Sequence, residues 1–78
     1  MEINEAIIKR IKELCKSNKL TINGLSIKAG ITQSTIDNIM KGHSKNPRIK
    51  TLVLIANAFG LNVIDFLNTK EILESIVD

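Results

Sequence analysis

The sequence predicts an all-α fold, five short helices followed by a helical C-terminal tail, on three observations. Apolar residues recur at intervals of three and four along nearly the whole chain, no stretch shows β-type alternation, and Thr, Asn and Gly punctuate it at helix-sized intervals. Aromatic residues make up 3% of a chain that is 44% hydrophobic, so the core has to be built from Ile and Leu. Seventy-eight residues suffice for one domain with one modest core.

Residues 3–18 carry Ile3, Ile7, Ile8, Ile11, Leu14 and Cys15 on one side of a helix and Lys9, Arg10, Lys12, Glu13 and Lys16 between them. Ser17-Asn18-Lys19 ends this first helix. Thr21 is placed to cap a short second helix that runs through Ala29, with Leu25 and Ala29 inward. Gly30 stands where a helix end calls for a left-handed residue, and Thr32 caps a third helix over residues 33–41, which turns Ile36, Ile39 and Met40 inward and stops at Gly42. His43 to Lys50 reads as a basic loop that holds the one proline. From Ile49 the helical pattern resumes, with Leu52, Ile55, Ala56 and Phe59 on one side as far as Gly60. Asn62 caps a fifth helix containing Val63, Phe66 and Leu67, and Thr69 opens a tail with an apolar stripe of Ile72, Leu73, Ile76 and Val77. The expected division is a domain over residues 1–68 and a tail over 69–78, with no internal repeat.

Charge is unevenly spread behind the formal +3. Residues 9–50 hold ten basic groups against Glu13 and Asp37, whereas Glu2 and Glu5 precede them and Asp65, Glu71, Glu74 and Asp78 outweigh Lys70 after them. A basic middle beside an acidic end suits a polyanion bound on one side, although an ordinary solvated surface gives the same balance. Cys15 is the single cysteine, which precludes an internal disulfide and points to a reducing compartment. No apolar run resembles a signal peptide or approaches the roughly 20 residues of a membrane span. A cytoplasmic protein with no membrane partner is therefore expected.

Leu20 to Leu67 is the informative stretch. A short helix, a tight turn at Ala29-Gly30-Ile31-Thr32 and a second short helix, over about residues 21–41, describe a helix-turn-helix. Ile31 plugs the gap between the helices, and Ser26 lies where they approach so closely that a small side chain is needed. A generic helical hairpin also places glycine between its helices.

The runs LTINGLSIKAGITQSTIDNIMKG and PRIKTLVLIANAFGLNVIDFL together resemble the Cro and cI repressor type of helix-turn-helix, also called XRE-like. The resemblance covers roughly residues 5–68, and Leu20, Leu25, Ala29-Gly30, Ile36, Gly42, Pro47, Leu52, Ile55-Ala56, Gly60 and Leu67 all fall in register with it. It implies a five-helix, lambda-repressor-like DNA-binding domain, here with a short helical C-terminal tail. It also implies a regulator of transcription, bacterial or phage-encoded, that reads double-stranded DNA as a homodimer on a near-palindromic operator. Carried over position by position, base reading falls on Gln33, Ser34 and Asn38, with Thr35, Asp37 and Lys41 flanking; Thr35 is counted with the reading residues. The chemistry agrees, because Gln and Asn can each make paired hydrogen bonds to adenine in the major groove. An exposed helix former is the plain alternative for Gln33, and a phosphate contact for Asn38. Backbone contacts are expected from Lys45 and Arg48, with His43, Ser44 and Asn46 as further donors, and from Thr21, Asn23, Lys28, Thr32 and Lys41 around the two helices. Arg48 stands where the family often caps its fourth helix with Ser, Thr or Asp; an operator phosphate or plain water takes that place.

Three departures from the family stand out. Ile22 replaces the Gln that commonly opens the second helix and touches phosphate, which leaves Asn23 as its substitute. Gly24 sits in the first turn of that helix, where Gly costs up to about 1 kcal/mol relative to Ala; close approach to DNA or simple tolerance explains it. Cys15 and Met40 occupy the positions where many relatives pair an Arg with a Glu, and an apolar pair is a physically coherent replacement. Cys15 is read as core packing, with redox sensing the lesser alternative.

Two rivals share the fold: an antitoxin that binds its own operator while its acidic tail grips a basic protein partner, and a protein-interaction module that lost DNA binding. Gln33, Asn38, Lys45 and Arg48 argue against the second. Catalysis is not expected, because His43 has no nucleophile or base beside it, and with no ligand cluster around it neither a metal nor a cofactor is expected. Of the tail, Ile72 and Leu73 are assigned to packing on the first or fifth helix. Ile76 and Val77, nearer the end, are assigned to the dimer contact.

Overall fold

The three-and-four spacing of residues 3–18 becomes α1 (Ile3–Ser17), which buries Ala6, Ile7, Ile11 and Cys15 along one face. Its start is held by the Glu2 amide, which donates to the Glu5 carboxylate at 3.1 Å. Its end is closed by the Leu20 amide, which returns to the Cys15 carbonyl at 2.9 Å. Between them Lys19 takes φ +53°, a left-handed position that Gly or Asn more often fills. A computed structural model describes residues 1–77 along the backbone and the side chains of residues 1–75.

α2 (Ile22–Ala29) and α3 (Gln33–Met40) form the helix-turn-helix, and both expected caps are made. The Thr21 hydroxyl accepts from the Gly24 amide at 2.9 Å, and the Thr32 hydroxyl accepts from the Thr35 amide at 3.2 Å. Gly30, at φ +73°, reverses the chain, and the Ile31 amide bonds back to the Ser26 carbonyl at 3.1 Å. At Gly24 the structure adds an internal constraint to the two expected reasons. A Cβ there would stand 3.1 Å from both Leu20 Cδ1 and Thr21 Oγ1, pressing on the hydroxyl that caps the helix.

After a loop come α4 (Ile49–Ala58), α5 (Val63–Leu67) and α6 (Lys70–Val77). Asn62 caps α5 by accepting from the Asp65 amide at 2.7 Å, and Thr69 accepts from the Ile72 amide at 3.3 Å. No strand occurs among the described residues.

Every helix sends at least one wholly buried large side chain to a single core: Ile7 and Ile11 from α1, Leu25 from α2, Ile36 from α3, Ile55 from α4, Phe66 from α5 and Ile72 from α6. Each such burial contributes about 1.5–3 kcal/mol, so no helix is stabilised without the others. The tail therefore divides at one residue: Ile72 packs into the core as expected, but Leu73 is 48% exposed and does not. The Ile76 and Val77 side chains, assigned to a dimer contact, lie outside the described residues. Met40 and Phe59 are half-buried against the core rather than enclosed by it.

Two basic residues of α1 bind α5 and α6. Lys9 Nζ meets Glu71 Oε1 at 2.8 Å. Arg10 donates from Nε to the Phe66 carbonyl at 2.8 Å and from Nη2 to the Asp65 carbonyl at 3.0 Å, which also accepts the Asn68 amide at 3.3 Å, so the guanidinium caps the C-terminal end of the short α5.

Candidate nucleic-acid interface

The helix-turn-helix holds α3 with its apolar side, Ile36 and Ile39, in the core, which leaves Gln33, Ser34 and Asn38 exposed on the opposite side. At eight residues, α3 is about 12 Å long, a length that the roughly 12 Å wide major groove of B-DNA admits. Its N-terminal turn is a cluster of hydroxyls. Thr32 Oγ1 lies 2.7 Å from Thr35 Oγ1 and 3.3 Å from Ser34 Oγ, so the three orient one another.

The Gln33 side chain is already bound within the molecule. Its Nε2 donates to Asp37 Oδ1 at 2.9 Å, and its Oε1 faces the Ser26 hydroxyl at 3.2 Å. Ser26, 3% exposed, confirms the close approach of α2 and α3, and also donates to the Asn23 carbonyl at 2.8 Å. Asn38 keeps its side chain in solvent while its backbone carbonyl accepts from the His43 and Ser44 amides at 2.9 and 3.3 Å, which anchors the loop to the end of α3.

Below α3 lies a cleft of about 550 Å³, walled by Thr35, Asn38 and Ile39 on one side, His43, Ser44, Asn46 and Pro47 along the loop, and Arg48 and Thr51 at the start of α4. Arg48 is the N-cap of α4 and makes no side-chain cap bond. The first-turn amides of α4 are thus left for water or an anion. Lys28, Lys41, Lys45 and Lys50 are exposed, and no ion pair ties them down among the described residues. Thr21 and Asn23 stand exposed at the start of α2, whereas Ile22, in place of a phosphate-touching Gln, is half-buried against the core. Of the expected reading residues and backbone donors, the cleft brings together Thr35, Asn38, His43, Ser44, Asn46 and Arg48.

Cys15 is 7% exposed, and burial pushes its thiol up from its ordinary value, which disfavours the reactive thiolate. Among the described residues no group of His, Cys, Asp and Glu could hold a metal ion, and no helix is long and apolar enough to cross a membrane.

Several contacts escaped sequence reasoning. The Asp37–Gln33 bond has a visible signal, since the residues are four apart on one helix and so neighbours on its surface. Lys9–Glu71 and Arg10–Phe66 join residues 62 and 56 positions apart, and nothing local marks them.

The helix-turn-helix family model matches residues 11–66. No curated protein matches the chain. Among solved structures, the crystal structure of the prophage Lp1 protein 11 is similar, at 32% sequence identity and a TM-score of 0.81, over 90% of this chain and 93% of that one.

Proposed function

The chain belongs to the helix-turn-helix family of DNA-binding regulators, and on that premise we propose that it is a repressor that binds a near-palindromic duplex operator as a homodimer. The observation that supports this most is the exposed side of α3, where Gln33, Ser34 and Asn38 stand clear of the core, together with the open start of α4 at Arg48 and the exposed Lys28, Lys41, Lys45 and Lys50, which make no ion pair among the described residues.

In this reading α3 enters the major groove, and Gln33, Ser34, Thr35 and Asn38 meet base edges near its N-terminal end. Thr21, Asn23, Lys28, Thr32 and Lys41 flank it on one strand's phosphates. His43, Ser44, Lys45, Asn46 and Arg48 hold the other strand, with a phosphate over the first amides of α4. One such helix covers too few base pairs to single out a site in a genome, and a two-fold dimer doubles the reading length. The described residues extend 33 Å along their longest axis, close to the 34–36 Å (about one turn) between half-sites, so two copies fit side by side on one face of the duplex. The likeness to a prophage protein suits a phage or bacterial origin.

Titration of duplex DNA with salt tests the interface. With about four to six phosphate contacts per half-site, log affinity should fall against log salt with a slope near −0.9 per contact. Affinity that does not change between low and physiological salt excludes the proposed face. Sedimentation on a symmetric operator should show two subunits, and an Ile76→Asp, Val77→Asp variant should dimerise less well. One subunit per operator rules out the dimer, and a variant that associates like the parent rules out the tail contact.

A further inference from the structure

Asp37 is the one acidic residue on the helix that faces DNA in the reading above, and it pairs with no cation among the described residues. A carboxylate there repels the phosphates of every sequence alike. What it does instead is accept one hydrogen bond, from Gln33 Nε2 at 2.9 Å.

We propose that Asp37 is a specificity-determining residue, which decides the base that Gln33 selects by holding the Gln33 amide in one orientation. The inference rests on α3 lying in the major groove. A carboxamide has a donor end and an acceptor end, and turning it over exchanges them. Ser26 on its other side cannot settle the choice. Its hydroxyl has one proton and two acceptors in reach, the Asn23 carbonyl at 2.8 Å and Gln33 Oε1 at 3.2 Å. With the proton on Gln33 Oε1, Ser26 holds the oxygen; with the proton on the nearer carbonyl, it offers a lone pair that holds an NH₂ instead. An ionised carboxylate is acceptor-only and accommodates the NH₂ alone. Asp37 therefore sets the amide, leaving one Nε2 proton and one Oε1 lone pair free. That is the combination a bidentate contact with adenine N7 and N6 requires. Turned over, the same side chain presents donor and acceptor in the wrong places. The cost is weaker attraction to DNA in general, so Asp37 exchanges overall affinity for discrimination.

The test begins with duplexes selected by the full-length wild type from a library randomised over about 20 base pairs, two half-sites one turn apart. The base pair read by Gln33 is the one whose preference disappears in Gln33→Ala. Affinities for the selected duplex, its single-pair variant there and a random duplex are then compared for wild type, Asp37→Asn, Asp37→Ala and Asp37→Glu. Asp37→Asn and Asp37→Ala should bind random duplex more tightly yet lose about five- to tenfold of their discrimination at that pair, within the range a good bidentate contact supplies. Asp37→Glu, still acceptor-only, should keep the preference. In the Gln33→Ala background Asp37→Asn should tighten binding to all three duplexes alike, the coupling that a merely structural or purely electrostatic role would not produce. Discrimination unchanged to within about twofold in both Asp37→Asn and Asp37→Ala, or an equal loss with and without Gln33, overturns the inference and leaves the repressor reading intact. A wild type that enriches no sequence overturns both.

Discussion

Lys9 and Arg10 carry the same kind of charge as Lys45 and Arg48, and the two pairs meet opposite fates. The first pair lies on α1 against the ends of α5 and α6, where the Lys9 ammonium sits on Glu71 and the Arg10 guanidinium closes the α5 carbonyls. The second lies on the loop and the α4 N-cap, exposed and without a side-chain partner among the described residues. A count of basic residues between positions 9 and 50 treats them alike; the fold does not. Cations that complete their own fold are poor candidates for a polyanion, because a phosphate would have to compete with bonds already made. Lys9 and Arg10 are thus withdrawn from the face proposed for DNA, which is narrower than the count of basic residues implies. Glu71 is withdrawn in the same way from the acidic tail that was to grip a protein partner.

The sharpest way to separate the two sides is to damage the α1–α5–α6 side alone. Ile72 is wholly enclosed although it lies beyond the domain boundary that the sequence suggested at residue 68. Ile72→Ala should lower stability by about 2–5 kcal/mol, the cost of a large-to-small change in a packed core. For a domain of this size each kcal/mol shifts the melting temperature by about 4–8 °C, so thermal unfolding reads the effect easily. DNA affinity, measured well below the melting transition, should stay at the wild-type level. A variant that melts like the parent would show that α6 is no part of the core.

A smaller effect is expected from the opposite side, and there stability should stay put. Gln33→Ala should cost on the order of 1–3 kcal/mol on a specific duplex and relax preference at one base pair. Lys45→Ala should instead weaken specific and random duplexes together and flatten the salt slope by about one contact. Equal losses from both variants on both duplexes would mean that α3 is not the reading helix.

What the sequence disclosed follows the same division. The helices and their caps at Thr21, Thr32, Asn62 and Thr69 were legible, because each depends on residues within a turn of one another. The core residues were legible wherever a helix has one apolar side. They became ambiguous in the tail, where Ile72 and Leu73 are adjacent, equally apolar and oppositely placed. The exposed polar side of α3 could be read from its position after the turn. That Gln33 is clamped rather than free could not, because Ser26 acts across the helix-turn-helix and the bond depends on how closely α2 and α3 approach. Lys19 taking a glycine's backbone conformation is a further local surprise, since Ser17-Asn18-Lys19 predicts an ending but not which residue bends.

The least effect, and the most diagnostic of sign, concerns pH. The hydrogen bond from Lys9 holds the Glu71 carboxyl below its ordinary 4.5, helped by a backbone hydrogen bond and by the ammonium charge. The same bond raises Lys9 above its ordinary 10.5. A carboxyl whose value is depressed on folding favours the folded state above its unfolded value, and that contribution fades as the pH falls through the folded one. A lysine whose value is raised contributes below its unfolded value, and its share is lost as the pH climbs through the folded one. The pair thus acts between about pH 5 and pH 10 and fails at both ends, for different reasons. Glu71→Gln should accordingly melt below the wild type across that window, with the two curves converging under acid below 4.5 and under alkali above 10.5. Because both groups are solvent-exposed, added salt should shrink the gap at neutral pH. Lys45→Gln, on the other side, should trace the wild-type melting curve at neutral pH to within about 0.5 kcal/mol, as surface substitutions away from structural contacts do. A gap for Glu71→Gln that persists unchanged below pH 4 would show that Glu71 acts through packing rather than charge. The distinction between cations bound into the fold and cations left for DNA would then have to rest on Arg10 alone.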